Sequence, residues 1–272
     1  MAAPVPKTRI LTALVLLGLV LLLLWRGTLI WLLGAFAAVT LRAAWEWAGL
    51  FSGLAGARRW WLLIALGACM TGMYALPAPW TSAVLIAALA WWMVSLRLVI
   101  RFPGVPGWID RPAPQAIIIL LALAPAWLAL ARLADGQRPL LLLCLALVWA
   151  ADTGAYVTGR TLGKRKLCPQ VSPGKTVAGL IGGLLGAAVV GLGAGLALGL
   201  DGLRLTALVG LIIACAAVSV IGDLAESLFK RRAGVKDSSD LLPGHGGVLD
   251  RIDALIAAAP LFALSVPLLV GG

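Results

Sequence analysis

The chain reads as long apolar runs separated by short polar breaks, and the runs are continuous rather than alternating. About 20 continuous apolar residues form a helix that crosses a bilayer, whereas a membrane-spanning strand alternates. Nine such segments are predicted, at residues 10–25, 28–49, 60–76, 80–100, 114–134, 139–158, 176–199, 203–228 and 252–269. The expected fold class is all-α: a polytopic integral membrane protein with about nine transmembrane helices. Some breaks are as short as Arg26-Gly27 and Asp201-Gly202, while two are long and polar, 159–175 and 229–251. A third, 101–113, is rich in Pro and Gly, carries Trp108, Asp110 and Arg111, and reads as an interfacial connector. Lys7 and Arg9 ahead of the first run would suit a cleaved signal peptide, but no clear small-residue cleavage site follows. The run is read as a retained first span.

Composition narrows the class. Of 272 residues, 62% are apolar and 12% charged, against about 45–50% and 25% in soluble domains. A soluble enzyme, a disordered chain and a secreted disulfide scaffold are excluded by that excess. Cys69, Cys144, Cys168 and Cys215 are too widely spaced for a disulfide framework or a paired-cysteine site. The net charge of +11 would indicate nucleic acid in a soluble protein. With the N-terminus in the cytoplasm, however, 18 of the 22 basic residues fall on the cytoplasmic side, leaving only Arg26, Arg132, Arg138 and Arg204 outside. Cations collect in cytoplasmic loops of membrane proteins. The expected partner is therefore the lipid bilayer and not nucleic acid; a homodimer is left open.

The acids gather late. Eight of 11 lie between Asp152 and Asp253, and six of those between Asp223 and Asp253. Acids at membrane depth are expensive and face polar cavities or partners, so residues 1–110 are read as scaffold helices and 111–272 as the part carrying the chemistry. Glu46, between Trp45 and Trp47, is the single acid in a predicted span of the first part. Gly179/Gly183, Gly182/Gly186 and Gly191/Gly195/Gly199 have the four-residue spacing that lets helices approach closely.

Three constellations could carry a reaction. In the first, Asp152 and Tyr156 share a helix face near a cytoplasmic end, followed by Ser172-Pro-Gly-Lys175-Thr176. The Gly-Lys-Thr is not a P-loop, because Pro169 stands where the earlier glycine is required. What remains is a basic turn opening a helix at Thr176, suited to phosphate. In the second, Asp223, Glu226, Ser227 and Lys230 line one helix face, with Arg231 following. In the third, the segment Lys236-Asp237 to Gly244-His245-Gly246-Gly247 leads into a helix start bearing Asp250, Arg251 and Asp253. Carboxylates one turn apart near another acidic helix end suit Mg²⁺, an oxygen-seeking ion that keeps sites for phosphates. Gly246 and Gly247 let backbone approach a ligand, and basic residues on both flanks oppose polyphosphate charge. His245, the sole histidine, fits a structural and a ligand-contacting role equally.

The run Ser227-Leu-Phe-Lys230-Arg231, four residues, Lys236-Asp237, then Leu242-Pro-Gly-His245-Gly-Gly-Val-Leu-Asp250-Arg251-Ile-Asp253 resembles the phosphatidate cytidylyltransferase (CDP-diacylglycerol synthase) pattern, with no departure at its fixed positions. The resemblance covers about residues 149–253; the first 110 resemble that family only in being apolar helices. It implies transfer of a cytidylyl group from CTP to phosphatidic acid, with Mg²⁺ as cofactor, in phospholipid biosynthesis at a bacterial inner membrane, the active site facing the cytoplasm. Asp223, Asp250, Lys236 and Arg251 are then the expected catalytic residues. Asp223 and Asp250 are expected to hold the metal, with Asp237 or Asp253 in support. Asp152, Ser172, Lys175, Ser227, Lys230, Arg231, His245, Gly246 and Gly247 are expected to bind substrate. A polytopic transporter of an anionic metabolite is the alternative. Its acids should lie at mid-span and its halves should repeat, and neither holds here. The CDP-alcohol phosphatidyltransferases are set aside because their Asp-Gly-x-x-Ala-Arg run is absent.

Overall fold

In the computed structural model, which describes residues 7–270, each of the nine expected segments is helical. The side chains of residues 7–11 and 13 are outside the description, Lys7 and Arg9 among them, as are residues 1–6 and 271–272 of the two expected regions. The helices are α1 Lys7–Arg26, α2 Leu29–Gly49, α3 Ala57–Tyr74, α4 Ala78–Arg101, α5 Pro112–Ala134, α6 Arg138–Leu162, α7 Val177–Ala197, α8 Gly202–Arg232 and α9 Leu249–Ser265, which a short turn, α10 Pro267–Val270, continues. Among the described residues, seven stretches are long and apolar enough to cross a membrane: α2, α4 to α8, and the combined Leu249–Val270. The apolar stretch recognised in α1 is shorter, Leu14–Arg26, and α3 opens on Arg58-Arg59-Trp60-Trp61. The protein is thus nearly all-α and built to sit in a membrane.

One element corrects the all-α expectation. The 159–175 break is not a loop throughout. Its first residues extend α6 to Leu162, and the rest form an antiparallel hairpin of β1, Lys166–Cys168, and β2, Ser172–Thr176. Backbone groups near the membrane surface need partners, and the hairpin supplies them, with the Val177 N–H bonding the Arg165 carbonyl where β2 passes into α7. Pro173 is tolerated because a two-stranded ribbon consists only of edges. The 229–251 break also shrinks, since α8 runs to Arg232 and α9 begins at Leu249.

α5 is the post around which the bundle is built. Its span is 72% buried, against 28% for α2 and for α7. Helices α9, α2, α3 and α4 pack on it. One buried cluster joins Ala43, Trp47 and Trp92 to Leu224, Phe229 and Ile256, so the expected regions 1–110 and 111–272 share a core. The glycine spacing does what it predicts. α6 and α7 meet backbone to backbone, and a Cβ at Gly183 would stand 2.8 Å from the Ala151 carbonyl and one at Gly186 2.7 Å from that of Ala150. At the other end of α7, Gly191 and Gly195 receive Ile212 and Leu205 of α8. These close contacts leave α6, α7 and α8 as the walls of a cleft.

Candidate active site

The cleft between α6, α7 and α8 has a volume of about 450 Å³ and is lined mainly by apolar side chains, with Asp152, Tyr156, Arg160, Lys175, Thr176, Ser219 and Asp223 among them. The hairpin turns β2 so that Lys175 points at α8, and its Nζ stands 2.6 Å from Asp223 Oδ2. Ser227, one turn further along α8, donates to Asp223 Oδ1 at 3.4 Å. Thr176 caps α7 by accepting the Gly179 N–H at 3.0 Å, a cap of the kind that fixes where a helix starts. The positive end of the α7 dipole therefore opens on the cleft beside Lys175. Asp152 and Asp253 lie within electrostatic reach of both Asp223 and Lys175. At the rim, Arg160 donates to the Tyr156 hydroxyl at 2.5 Å.

A second cleft, also about 450 Å³, is polar and lined by Lys236, Asp237, Asp240, Leu242, Gly244, His245, Gly246 and Arg251. A tight turn shapes it, closed by the Leu242 N–H on the Gly246 carbonyl and the His245 N–H on the Leu242 carbonyl, both 2.8 Å. Gly246 has φ +77°, and an added Cβ would stand 2.7 Å from Asp250 Oδ2, so both conformation and space demand glycine. Arg251 lines this cleft while its charge reaches Asp152 on the first.

Asp250 stands under that turn with both oxygens engaged. Oδ1 faces Lys230 Nζ at 2.5 Å, and Oδ2 receives the Gly247 N–H at 2.7 Å, the Ser238 N–H at 2.9 Å and the Ser238 hydroxyl at 2.8 Å. Lys230 is buried, and its ammonium also lies 2.5 Å from Glu226 Oε2. Two carboxylates hold that ammonium in this arrangement, so it is not presented to a cleft as the sequence reading expected. Ser172 lies outside both linings. Arg231 spends its guanidinium on the Val171 carbonyl at 3.2 Å and the Val235 carbonyl at 3.4 Å, fastening the hairpin turn to α8. Lys175 and Asp223 reach the apolar cleft with Asp152, and Lys236, Asp237, His245, Gly246 and Arg251 reach the polar one.

Sequence reading missed Ser238 and Ser239, and it gave no site role to Glu226 or, above all, to Glu46, whose partners lie in the 238–249 segment. Its lone acid in an apolar span was the available signal. The connector 101–113 is also tied in. Arg232 at the end of α8 forks across Asp110, Nε to Oδ1 at 2.8 Å and Nη2 to Oδ2, and holds that carboxyl below the usual carboxylate range. Among the described residues no three His, Cys, Asp or Glu side chains form a ready-made metal cluster. Mg²⁺ does not require one, since it binds through one or two carboxylates and takes the rest of its shell from water and substrate phosphates. Asp223, a third exposed and facing the cleft, fits that demand; Asp250 could do so only by giving up a present contact.

Helices, apolar cleft and polar cleft together define a polytopic membrane enzyme whose charges suit a phosphate-bearing substrate. Residues 7–269 match the model of the cytidylyltransferase family, and the chain belongs to that family, whose members are nucleotidyltransferases. It is 44% identical over 269 residues to a phosphatidate cytidylyltransferase of Pseudomonas aeruginosa, covering 94% of this chain and 95% of that one. A phosphatidate cytidylyltransferase of Haemophilus influenzae is 39% identical over 282 residues, with 94% and 97% covered. One of Brucella suis is 37% identical over 269 residues, with 95% and 92% covered.

Proposed function

We propose that this protein transfers the cytidylyl group of CTP to phosphatidic acid, releasing pyrophosphate and forming CDP-diacylglycerol for phospholipid synthesis. The observation that carries this is the pairing of two unlike clefts: an apolar one with Lys175 and Asp223 at its charged end, and a polar one presenting Lys236 and Arg251. A substrate that is half lipid and a substrate that is a soluble polyphosphate need such a pair. Nine spans and a cytoplasmic active site in a bacterial inner membrane belong to the same proposal, supported by the asymmetry of Lys and Arg.

The lipid phosphate, its acyl chains against α6, α7 and α8, would reach Lys175 and the N-terminus of α7. Lys236 and Arg251 would receive the triphosphate. An ionised phosphate is itself the nucleophile. Its oxygen bonds to the α-phosphorus of CTP, the bond to the bridging oxygen breaks, and pyrophosphate leaves with that electron pair, so no side chain has to remove a proton. Several negative charges meet at this point, and fixed cations aimed at them lower the barrier by electrostatics and positioning. When bound, Mg²⁺ would screen the phosphate oxygens. Asp223 and Asp250 are the carboxylates proposed to hold it, Asp253 or Asp237 supporting them.

The test is pyrophosphate release from CTP by purified protein. Release should require phosphatidic acid and a divalent cation. Equal release with diacylglycerol, which lacks the attacking phosphate, would contradict the reading, and full activity after exhaustive chelation would remove the metal from it.

A further inference from the structure

Glu46 is a buried acid that the reaction leaves unexplained. It lies on α2, 2% exposed, in a mainly apolar span whose one other charge is Arg42, where a charge is expensive to keep. Its Oε1 accepts from the Ser239 hydroxyl at 2.8 Å and faces Arg42 Nη2 at 3.1 Å. Its Oε2 accepts from the Leu249 N–H at 2.8 Å and lies 2.9 Å from the Ser238 hydroxyl. Ser238 and Ser239 follow Lys236-Asp237, and Leu249 opens α9 immediately before Asp250 and Arg251. One side chain of α2 therefore grips both ends of the segment that forms the polar cleft. Its own helix is held there by Trp47, which packs on Phe229 of α8 with ring centres 5.6 Å apart.

The donors make the residue type specific. The serine hydroxyls can turn and accept, but Arg42 and the Leu249 N–H can only donate, and they face opposite oxygens. A glutamine, whichever way it turned, would set its NH₂ against one of them. Gly247 adds a second sign of close fit, because a Cβ there would run into Glu46 Oε2 and Ser238 Oγ. An apolar side chain would close the bundle without the cost of a buried charge; what the carboxylate adds is one fixed shape for segment 238–249.

We infer that Glu46 is a positioning residue for the polar cleft, holding segment 238–249 so that Lys236, His245 and Arg251 face the nucleotide. The inference rests on the function proposed above for its substrate, and on geometry alone for its mechanical part. The experiment compares wild type with Glu46→Gln by steady-state kinetics in both substrates, amide hydrogen exchange and thermal unfolding. One buried donor without an acceptor should raise KM for CTP about tenfold or more, with KM for phosphatidic acid changing less than about twofold. Exchange should quicken in 238–249 and stay slow in α2, α5 and the rest of α9 beyond Leu249. Ser239→Ala, which removes one grip and leaves the bundle intact, should shift both readouts the same way by less, and it carries the test if Glu46→Gln does not fold. Unchanged KM for CTP with unchanged exchange overturns the inference, as does faster exchange throughout the bundle with both KM values rising together. Wild type that never converts CTP refutes the proposed reaction instead, and the exchange pattern then decides the role of Glu46 by itself.

Discussion

Asp223, inside α8, and Asp250, in the first turn of α9, are both acids proposed to hold the metal, yet their surroundings differ. Asp223 opens on the cleft against one ammonium and one hydroxyl, whereas Asp250 has Lys230 on one oxygen and three donors on the other. Replacing either with alanine should lower turnover by orders of magnitude. If they share one metal, the double variant should be little worse than the poorer single one, because groups acting as a unit lose their function once. Multiplicative losses measured in the same kinetic assay would separate their roles. Unfolding should distinguish them too. Asp250→Ala strips the buried Lys230 of a partner and should lower the melting midpoint by several degrees, while Asp223→Ala, at a partly solvated pair, should barely move it. The motif residues around Asp250 were legible in the sequence because their spacing is local. Glu46 was not, since both serines that hold it lie some two hundred positions away and nothing local marks the contact. The burial of Lys230 was not legible for a related reason, because its spacing placed it on the same helix face as Glu226 but did not show that Asp250 would close over it.

At the scale of elements, the apolar runs sufficed to mark α1 to α9 among the described residues, because a helix satisfies its backbone internally and so carries its signature within itself. The hairpin escaped that reading. Strands of three and five residues in a basic, proline-containing stretch have no alternation to detect, and their partners are each other. Its position nevertheless decides the site, since β2 delivers Lys175 to Asp223 and Thr176 starts α7. The glycine seam of α6 and α7 is equally consequential, because it sets the spacing of the cleft walls. Gly183→Leu should force the Ala151 carbonyl away from α7, and overpacking of this kind costs about 1–3 kcal/mol. Thermal unfolding in detergent should show that loss together with reduced turnover. A variant that melts and turns over like wild type would mean that the close approach is dispensable.

For the whole molecule, the proposed orientation in the membrane rests on where the cations lie, and the hairpin offers a handle on it. Cys168 is on β1 and partly exposed, whereas Cys144 and Cys215 are buried in the bundle. A membrane-impermeant thiol reagent should label Cys168 in inside-out vesicles and not in sealed cells, with Cys168→Ser as the control; labelling in sealed cells would reverse the topology. That proposed orientation would put both clefts on the side where soluble nucleotide is found, the apolar one lying between α6, α7 and α8. The shared core ties the first 110 residues to the rest, and α2 reaches segment 238–249 through Glu46. The most direct measurement of the central claim uses purified protein, phosphatidic acid and CTP labelled either at the α- or at the γ-phosphate. The α-label should move into the organic phase with the lipid while the γ-label stays in water as pyrophosphate, and neither should move with Asp223→Ala. An α-label that remains in water, or a γ-label that follows the lipid, would contradict cytidylyl transfer at this site.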